Sequence, residues 1–180
     1  MQAEVMFAGF GGQGIMLSGK IYAVAAMAGG REVIWIPSYG PEMRGGTAYC
    51  TVVIADRPIG SPIISSPGHL VVMNRPSLEK FASIMKPKGV CMVNSSLIPI
   101  RTERDDIQEV RVACNDLAIE MGNPRVANII ALGAFAARCD LVDFELVREA
   151  VRENFEKKPK LIPLNMEALE RGAKAALAAH

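Results

Sequence analysis

Residues 4–14 read Glu4-Val5-Met6-Phe7-Ala8-Gly9-Phe10-Gly11-Gly12-Gln13-Gly14. The first seven form a short apolar run of the kind that suits a buried strand. Glycines then turn the chain, and an Ala-rich stretch with helical character follows to Met27. Strand, glycine turn and helix in that order open an α/β unit, so residues 4–10 are read as a first strand and residues 14–27 as the helix after it.

Further along, the pattern repeats with variations. Residues 32–37 (EVIWIP) read as a second strand and residues 47–55 (TAYCTVVIA) as a third, with a long loop between them. Residues 69–74 (HLVVMN), 89–94 (GVCMVN) and 110–115 (VRVACN) are further apolar runs of strand length. Residues 77–85 read as a helix capped by Ser77 and ended before Pro87, and Asp116 reads as a capping residue for a short helix over 116–121. Residues 125–139 follow Pro124 and are apolar on nearly every face, which predicts a buried helix. Asp143 is placed to cap a helix whose Phe144, Val147, Ala150, Val151 and Phe155 share one face. Residues 156–163 (EKKPKLIP) read as a linker to a last Ala-rich helix over 166–179, which is then free to pack on a partner. The expected architecture is one α/β domain over residues 1–180. It is a doubly wound, mostly parallel sheet with helices on both faces and a helical C-terminal part.

In such a sheet, ligands and partners meet the chain beyond the carboxyl ends of the strands. Gly9, Gly11 and Gly14 fit G-x-G-x-x-G between a strand and a helix, where close backbone approach and a helix N-terminus suit an anion. A dinucleotide site also needs a carboxylate at the end of the second strand, and there the sequence is Ile36-Pro37-Ser38-Tyr39. The fingerprint is incomplete, so Gly11, Gly12 and Gln13 are read as a loop that another chain approaches closely. The stand-alone NAD(P)-dependent oxidoreductase is the competing reading.

The loop over residues 37–46 (PSYGPEMRGG) is the most informative stretch. Gly and Pro fix an irregular backbone, and Arg44 can offer its planar fork to a carboxylate, phosphate or carbonyl. Tyr39, Glu42, Arg44, Gly45 and Gly46 are therefore interface or substrate-channel candidates. An internal Glu42–Arg44 tie on a solvated turn is the plainer alternative. Asn94 and Ser95, after the fifth strand, join the candidates, although Asn and Ser at such positions also serve simply as helix caps.

Composition excludes several classes. Lys+Arg is 20 and Asp+Glu 19, without long runs of one sign, which argues against nucleic acid or an anionic membrane as partner. Residues 2–10 are too short for a signal peptide, and residues 126–137 fall short of the ~20 that span a bilayer. A cytoplasmic location follows as the expectation. Cys50, Cys91, Cys114 and Cys139 lack metal-clip spacing, and the first three sit in strand-like runs, so buried reduced thiols are expected. His69 reads as a surface or edge residue. No catalytic or metal-ligating set can be assembled. Half the chain is hydrophobic, and mean hydropathy is +0.20. An Ala-filled core and an apolar subunit interface both explain that, and both stay open.

The runs Gly9–Gly14 and Tyr39–Gly46, with residues 58–62 (PIGSP), Asn94-Ser95-Ser96, Gly122-Asn123 and Arg125-Val126-Ala127-Asn128, resemble the γ subunit of 2-oxoacid:ferredoxin oxidoreductases. The likeness covers nearly the whole chain. Its Tyr-Gly-Pro-Glu-Met-Arg-Gly-Gly run is closer to the 2-oxoglutarate branch than to the pyruvate branch. His69 departs from the acidic residue that similar chains often carry there. The resemblance implies a complex that decarboxylates a 2-oxoacid on thiamine diphosphate with Mg²⁺, reduces ferredoxin through iron–sulfur clusters and delivers the acyl group to coenzyme A. Thiamine-diphosphate and cluster motifs are absent from this sequence. The resemblance therefore places those cofactors in partner α and β subunits, with a ferredoxin-like δ subunit as a further candidate, and gives this chain an architectural role. A subunit of indolepyruvate oxidoreductase is a related alternative, and a homo-oligomer of the isolated chain is left open.

Overall fold

The computed structural model describes residues 1–38 and 47–179. In chain order the elements are β1 (Gln2–Gly9), α1 (Ile15–Ala28), β2 (Glu32–Ser38), β3 (Ala48–Ala55), β4 (His69–Val72), α2 (Arg75–Phe81), β5 (Val90–Asn94), β6 (Gln108–Val112), α3 (Cys114–Glu120), α4 (Ala127–Ala136), α5 (Phe144–Asn154) and α6 (Ile162–Ala178). The six strands form one sheet in the order β2-β3-β1-β4-β5-β6. β3 runs antiparallel to both its neighbours, and the other pairs are parallel. The mostly parallel α/β sheet is as expected.

Alternation along β1 divides the core. Val5 and Phe7 face a large apolar layer made with α1, α4, α5 and α6, while Met6 and Ala8 face a smaller one made with α2 and Ile98. Helices thus lie on both faces, unequally. Phe7, Tyr22 and Phe135 pack ring against ring with centroids 5.4–6.1 Å apart, tying β1, α1 and α4 together. Every residue of α4 is buried.

Several local expectations are corrected. α2 is capped by Asn74, whose Oδ1 accepts the Ser77 N–H at 2.9 Å, so Ser77 lies inside the first turn. β6 ends at Val112, and Cys114 begins α3, so this thiol is helical. Asp116 does not cap that helix. The orphan N–H groups there are met from outside: Asn94 Oδ1 accepts from Cys114 N at 3.1 Å, and Ser96 Oγ from Asp116 N at 3.1 Å. Asp143 does cap α5, accepting from Glu145 N at 2.8 Å.

The expected linker is a short 3₁₀ turn (Pro159–Leu161) running directly into α6. That helix packs on its own chain. A Cβ on Gly172 would stand 1.9 Å from Ile130 O, and one on Gly133 2.0 Å from Leu169 O, so only paired glycines let α4 and α6 cross this closely. The stripe Ala168, Leu169, Gly172, Ala173 and Ala176 is buried against α4, not offered to a partner.

Candidate functional site at the carboxyl edge of the sheet

β1, β4, β5 and β6 point the same way, and their ends bring the glycine loop, Asn74, Asn94 and Asn115 to one edge. One carbonyl organises it. Met73 O accepts from Gln13 Nε2 at 3.2 Å and from Asn94 Nδ2 at 3.4 Å, joining the loop after β1 to the end of β5. Gln13 Oε1 in turn accepts the Phe10 N–H at 2.6 Å, which closes the glycine turn over its own side chain. Gly11 and Gly12 are left exposed. Gly12 has φ +89°, and nothing lies where a Cβ would stand, so another backbone can approach it.

Gly14 has φ +74°, and a Cβ there would meet Asn128 Nδ2 at 2.4 Å. Asn128 Nδ2 donates to Gly14 O at 3.1 Å, and the Ser18 hydroxyl shares its one proton between Asn128 O at 3.1 Å and Gly14 O at 3.3 Å. Asn128 is thus the residue of α4 that fixes the loop. A lone Asn inside the apolar run 126–137 was the sequence signal for that role, which reading by apolar pattern alone missed. A cavity of about 390 Å³ opens between loop, α4 and α6, lined by Gly12, Gly14, Arg125, Phe155 and Asn165 among others.

Asn94 is fully buried, and its amide serves Met73 O, Asn115 Oδ1 and Cys114 N. It holds the edge together from within, while Ser95 is half-buried beside it. Tyr39, Glu42, Arg44, Gly45 and Gly46 lie outside the described residues, which resume at Thr47. Ser38 and Tyr49, on either side of that gap, border a second groove of about 410 Å³ that also includes Ile36, Ile63, Phe81 and Ile84.

His69 is not on an edge strand of the sheet. It is half-buried at the start of β4, an interior strand, with Nδ1 accepting the Val90 N–H at 3.0 Å and 3.7 Å from Cys139 Sγ. Burial pushes its pKa down, and Glu4 partly opposes this. The cysteines are all buried. Burial raises the thiols of Cys50 and Cys91 to about 12 and Cys139 to about 11, and Cys114 upward too. The four cysteines lie at separate places in the fold, on β3, on β5, at the start of α3 and after α4. Among the described residues no three His, Cys, Asp or Glu side chains converge as metal ligands. Nor is any described helix long and apolar enough to cross a membrane. What the edge presents is exposed backbone and amide groups held in fixed geometry, suited to contact rather than to proton transfer.

Residues 4–175 match the family model described as pyruvate ferredoxin/flavodoxin oxidoreductase. The ketoisovalerate oxidoreductase subunit VorA of Methanothermobacter marburgensis is 38% identical over 96% of this chain, which spans only 36% of that relative's length. The 2-oxoglutarate synthase subunit KorC of Methanocaldococcus jannaschii is 34% identical, over 87% of this chain and 86% of its own. Among solved structures, the γ subunit of a keto/oxoacid ferredoxin oxidoreductase from Geobacter sulfurreducens superposes with a TM-score of 0.89 at 31% identity, covering 99% of this chain and 98% of that one.

Proposed function

The chain belongs to the pyruvate ferredoxin/flavodoxin oxidoreductase family as a homologue of its γ subunits, and from that premise we propose that it is the architectural γ subunit of a 2-oxoacid:ferredoxin oxidoreductase acting on 2-oxoglutarate. Residues 1–180 act as one γ-type domain in the cytoplasm. The carrying observation is the two-way coverage by KorC, 87% of this chain against 86% of that one, joined to an edge that, among the described residues, displays backbone and no acid–base pair. Partner α and β subunits, with a ferredoxin-like δ chain, hold thiamine diphosphate, Mg²⁺ and the clusters, which supply decarboxylation and electron transfer. This chain's Gln13 and Asn128 hold the glycine loop, so that Gly11, Gly12 and Ser95, with Tyr39, Glu42, Arg44, Gly45 and Gly46, meet those partners and border the route of coenzyme A.

The 38% identity to VorA favours a second reading in which the substrate is a branched-chain 2-oxoacid. Co-expression with the partner subunits and a viologen-reduction assay separates the two. The complex should reduce dye with 2-oxoglutarate and coenzyme A, and the isolated chain should not. Faster turnover with 2-oxoisovalerate transfers the assignment to the second reading, and turnover by the isolated chain overturns the architectural role.

A further inference from the structure

β2 forms one edge of the sheet, and the ladder fixes which of its backbone groups face outward. Asp56 N donates to Met1 O at 3.1 Å, so Met1 and Asp56 are a hydrogen-bonded pair of the antiparallel β1–β3 ladder. Such pairs alternate. Ile54, Val52 and Cys50 therefore also direct their backbone groups at β1, leaving Ala55, Val53, Thr51 and Tyr49 to serve β2. Their partners in β2 are Glu32, Ile34, Ile36 and Ser38. Val33, Trp35 and Pro37 consequently turn their backbone groups away from the sheet, and Pro37 sits where an edge strand tolerates a missing N–H. Among the described residues no hydrogen bond reaches the N–H or C=O of Val33 or Trp35.

Side chains tell the same story on both faces. From Val33 to Ser38 every residue of β2 is half-exposed, and Glu32 is the strand's one charge. Exposed edges are usually blunted by lysines, inward charges or bulges. Here Pro37 removes a single donor, and Glu32 places one charge at the start of the strand. A neighbouring strand would cover apolar groups above and below the sheet and satisfy the open backbone at the same time.

We propose that β2 is a self-pairing edge, at which two copies of this chain join antiparallel across a two-fold axis and continue the sheet from one molecule into the other. Pro37 sets the register. If Trp35 faced itself, Val33 would lie opposite Pro37, and its carbonyl would find no donor. If Val33 faced itself, Trp35 would lie opposite Arg31, whose N–H is already given to Ala26 O. Shifted so that Val33 faces Trp35 of the second copy, each N–H meets a carbonyl on both sides of the axis. This register opposes Val33 and Trp35 on one face, an aromatic and β-branched pair. On the other it sets Ile34 against Ile34 on the axis, in a non-hydrogen-bonded pair with Cα atoms about 4.5 Å apart.

Full-length chain, without partners, should sediment as a concentration-dependent dimer at micromolar levels. Emission from Trp35, the sequence's single tryptophan, should shift to the blue as it forms. Ile34→Lys sets like charges opposite each other and should weaken the dimer about tenfold or more while the melting temperature is retained. Under mild oxidation Ile34→Cys should give a covalent dimer, because about 4.5 Å between Cα atoms lies within disulfide reach. Ile36→Cys, which faces Glu32 in this register, should stay uncrosslinked. A chain that is monomeric throughout, an Ile34→Lys variant that dimerises like wild type, or equal crosslinking at positions 34 and 36 overturns the proposal.

Discussion

His69 begins β4 with its Nδ1 accepting the Val90 N–H, and the groups facing it are Glu4, Cys139 and the Phe135 ring. Protonation would turn that acceptor into a donor aimed at another donor. Above about pH 6.5 folded and unfolded chains both hold the ring neutral, and the site contributes its full stability. As pH falls through that value the unfolded chain takes the proton first, because burial holds the folded pKa lower. Stability should therefore decline from about pH 6.5 downward. Carboxylate losses come later. Asp106 is held below its usual 3.8 by Arg104, and Glu109 below 4.5, its bonds from Thr102 and Arg111 outweighing burial. Urea midpoints measured from pH 8 to 5 should show the decline in wild type and lose it in His69→Gln. Arg44 is tested in the proposed complex. If its guanidinium pairs across a buried subunit contact, Arg44→Ala should cost about 2–5 kcal/mol, a roughly 30-fold to several-thousand-fold loss of affinity. A tie to Glu42 on a solvated turn limits the cost to under about 1 kcal/mol. Co-purification of the variant with its partners distinguishes the outcomes, and normal assembly would make the loop ordinary surface.

Among the elements, apolar runs of strand length located each described strand, the last of them two residues late, and residues 125–139 were legible as a buried helix, realised over Ala127–Ala136, because they are apolar on nearly every face. Three things were not legible. The caps of α3 come from Asn94 and Ser96, distant in sequence, so Asp116 looked like the local answer. The direction of β3 depends on its partners, and an apolar run reads alike both ways. The docking of α6 rests on Gly133 and Gly172, whose message is an absent side chain and is invisible until both helices are in place. Gly172→Ala tests that crossing. Alanine gains about 1 kcal/mol of helix propensity. Its Cβ, however, would have to push back the Ile130 carbonyl, and a backbone atom has no other rotamer. Overpacking of about 1–3 kcal/mol, at the upper end here, should outweigh the gain. Urea denaturation should show a net loss, and a more stable variant would mean that the helices separate easily.

At the scale of the molecule, the sheet order bears on the nucleotide reading more firmly than the missing acid did. β3 lies between β1 and β2, so the end of the second strand is one strand removed from the glycine loop where a dinucleotide's ribose would be held. Calorimetric titration with NAD(H) and NADP(H) should find dissociation constants above roughly 1 mM, and micromolar binding would reinstate a Rossmann enzyme. The candidate edge was legible as strand ends followed by glycine and amide residues. Its internal wiring through Met73 O was not, because a main-chain carbonyl leaves no mark in a sequence. The burial of α4 has a consequence in time. Its faces are covered by the sheet, by α1 and by α6, and α6 is made after all the others. A growing chain therefore carries a sticky, unfinished helix until synthesis has passed Ala178, and only then can it bury that helix.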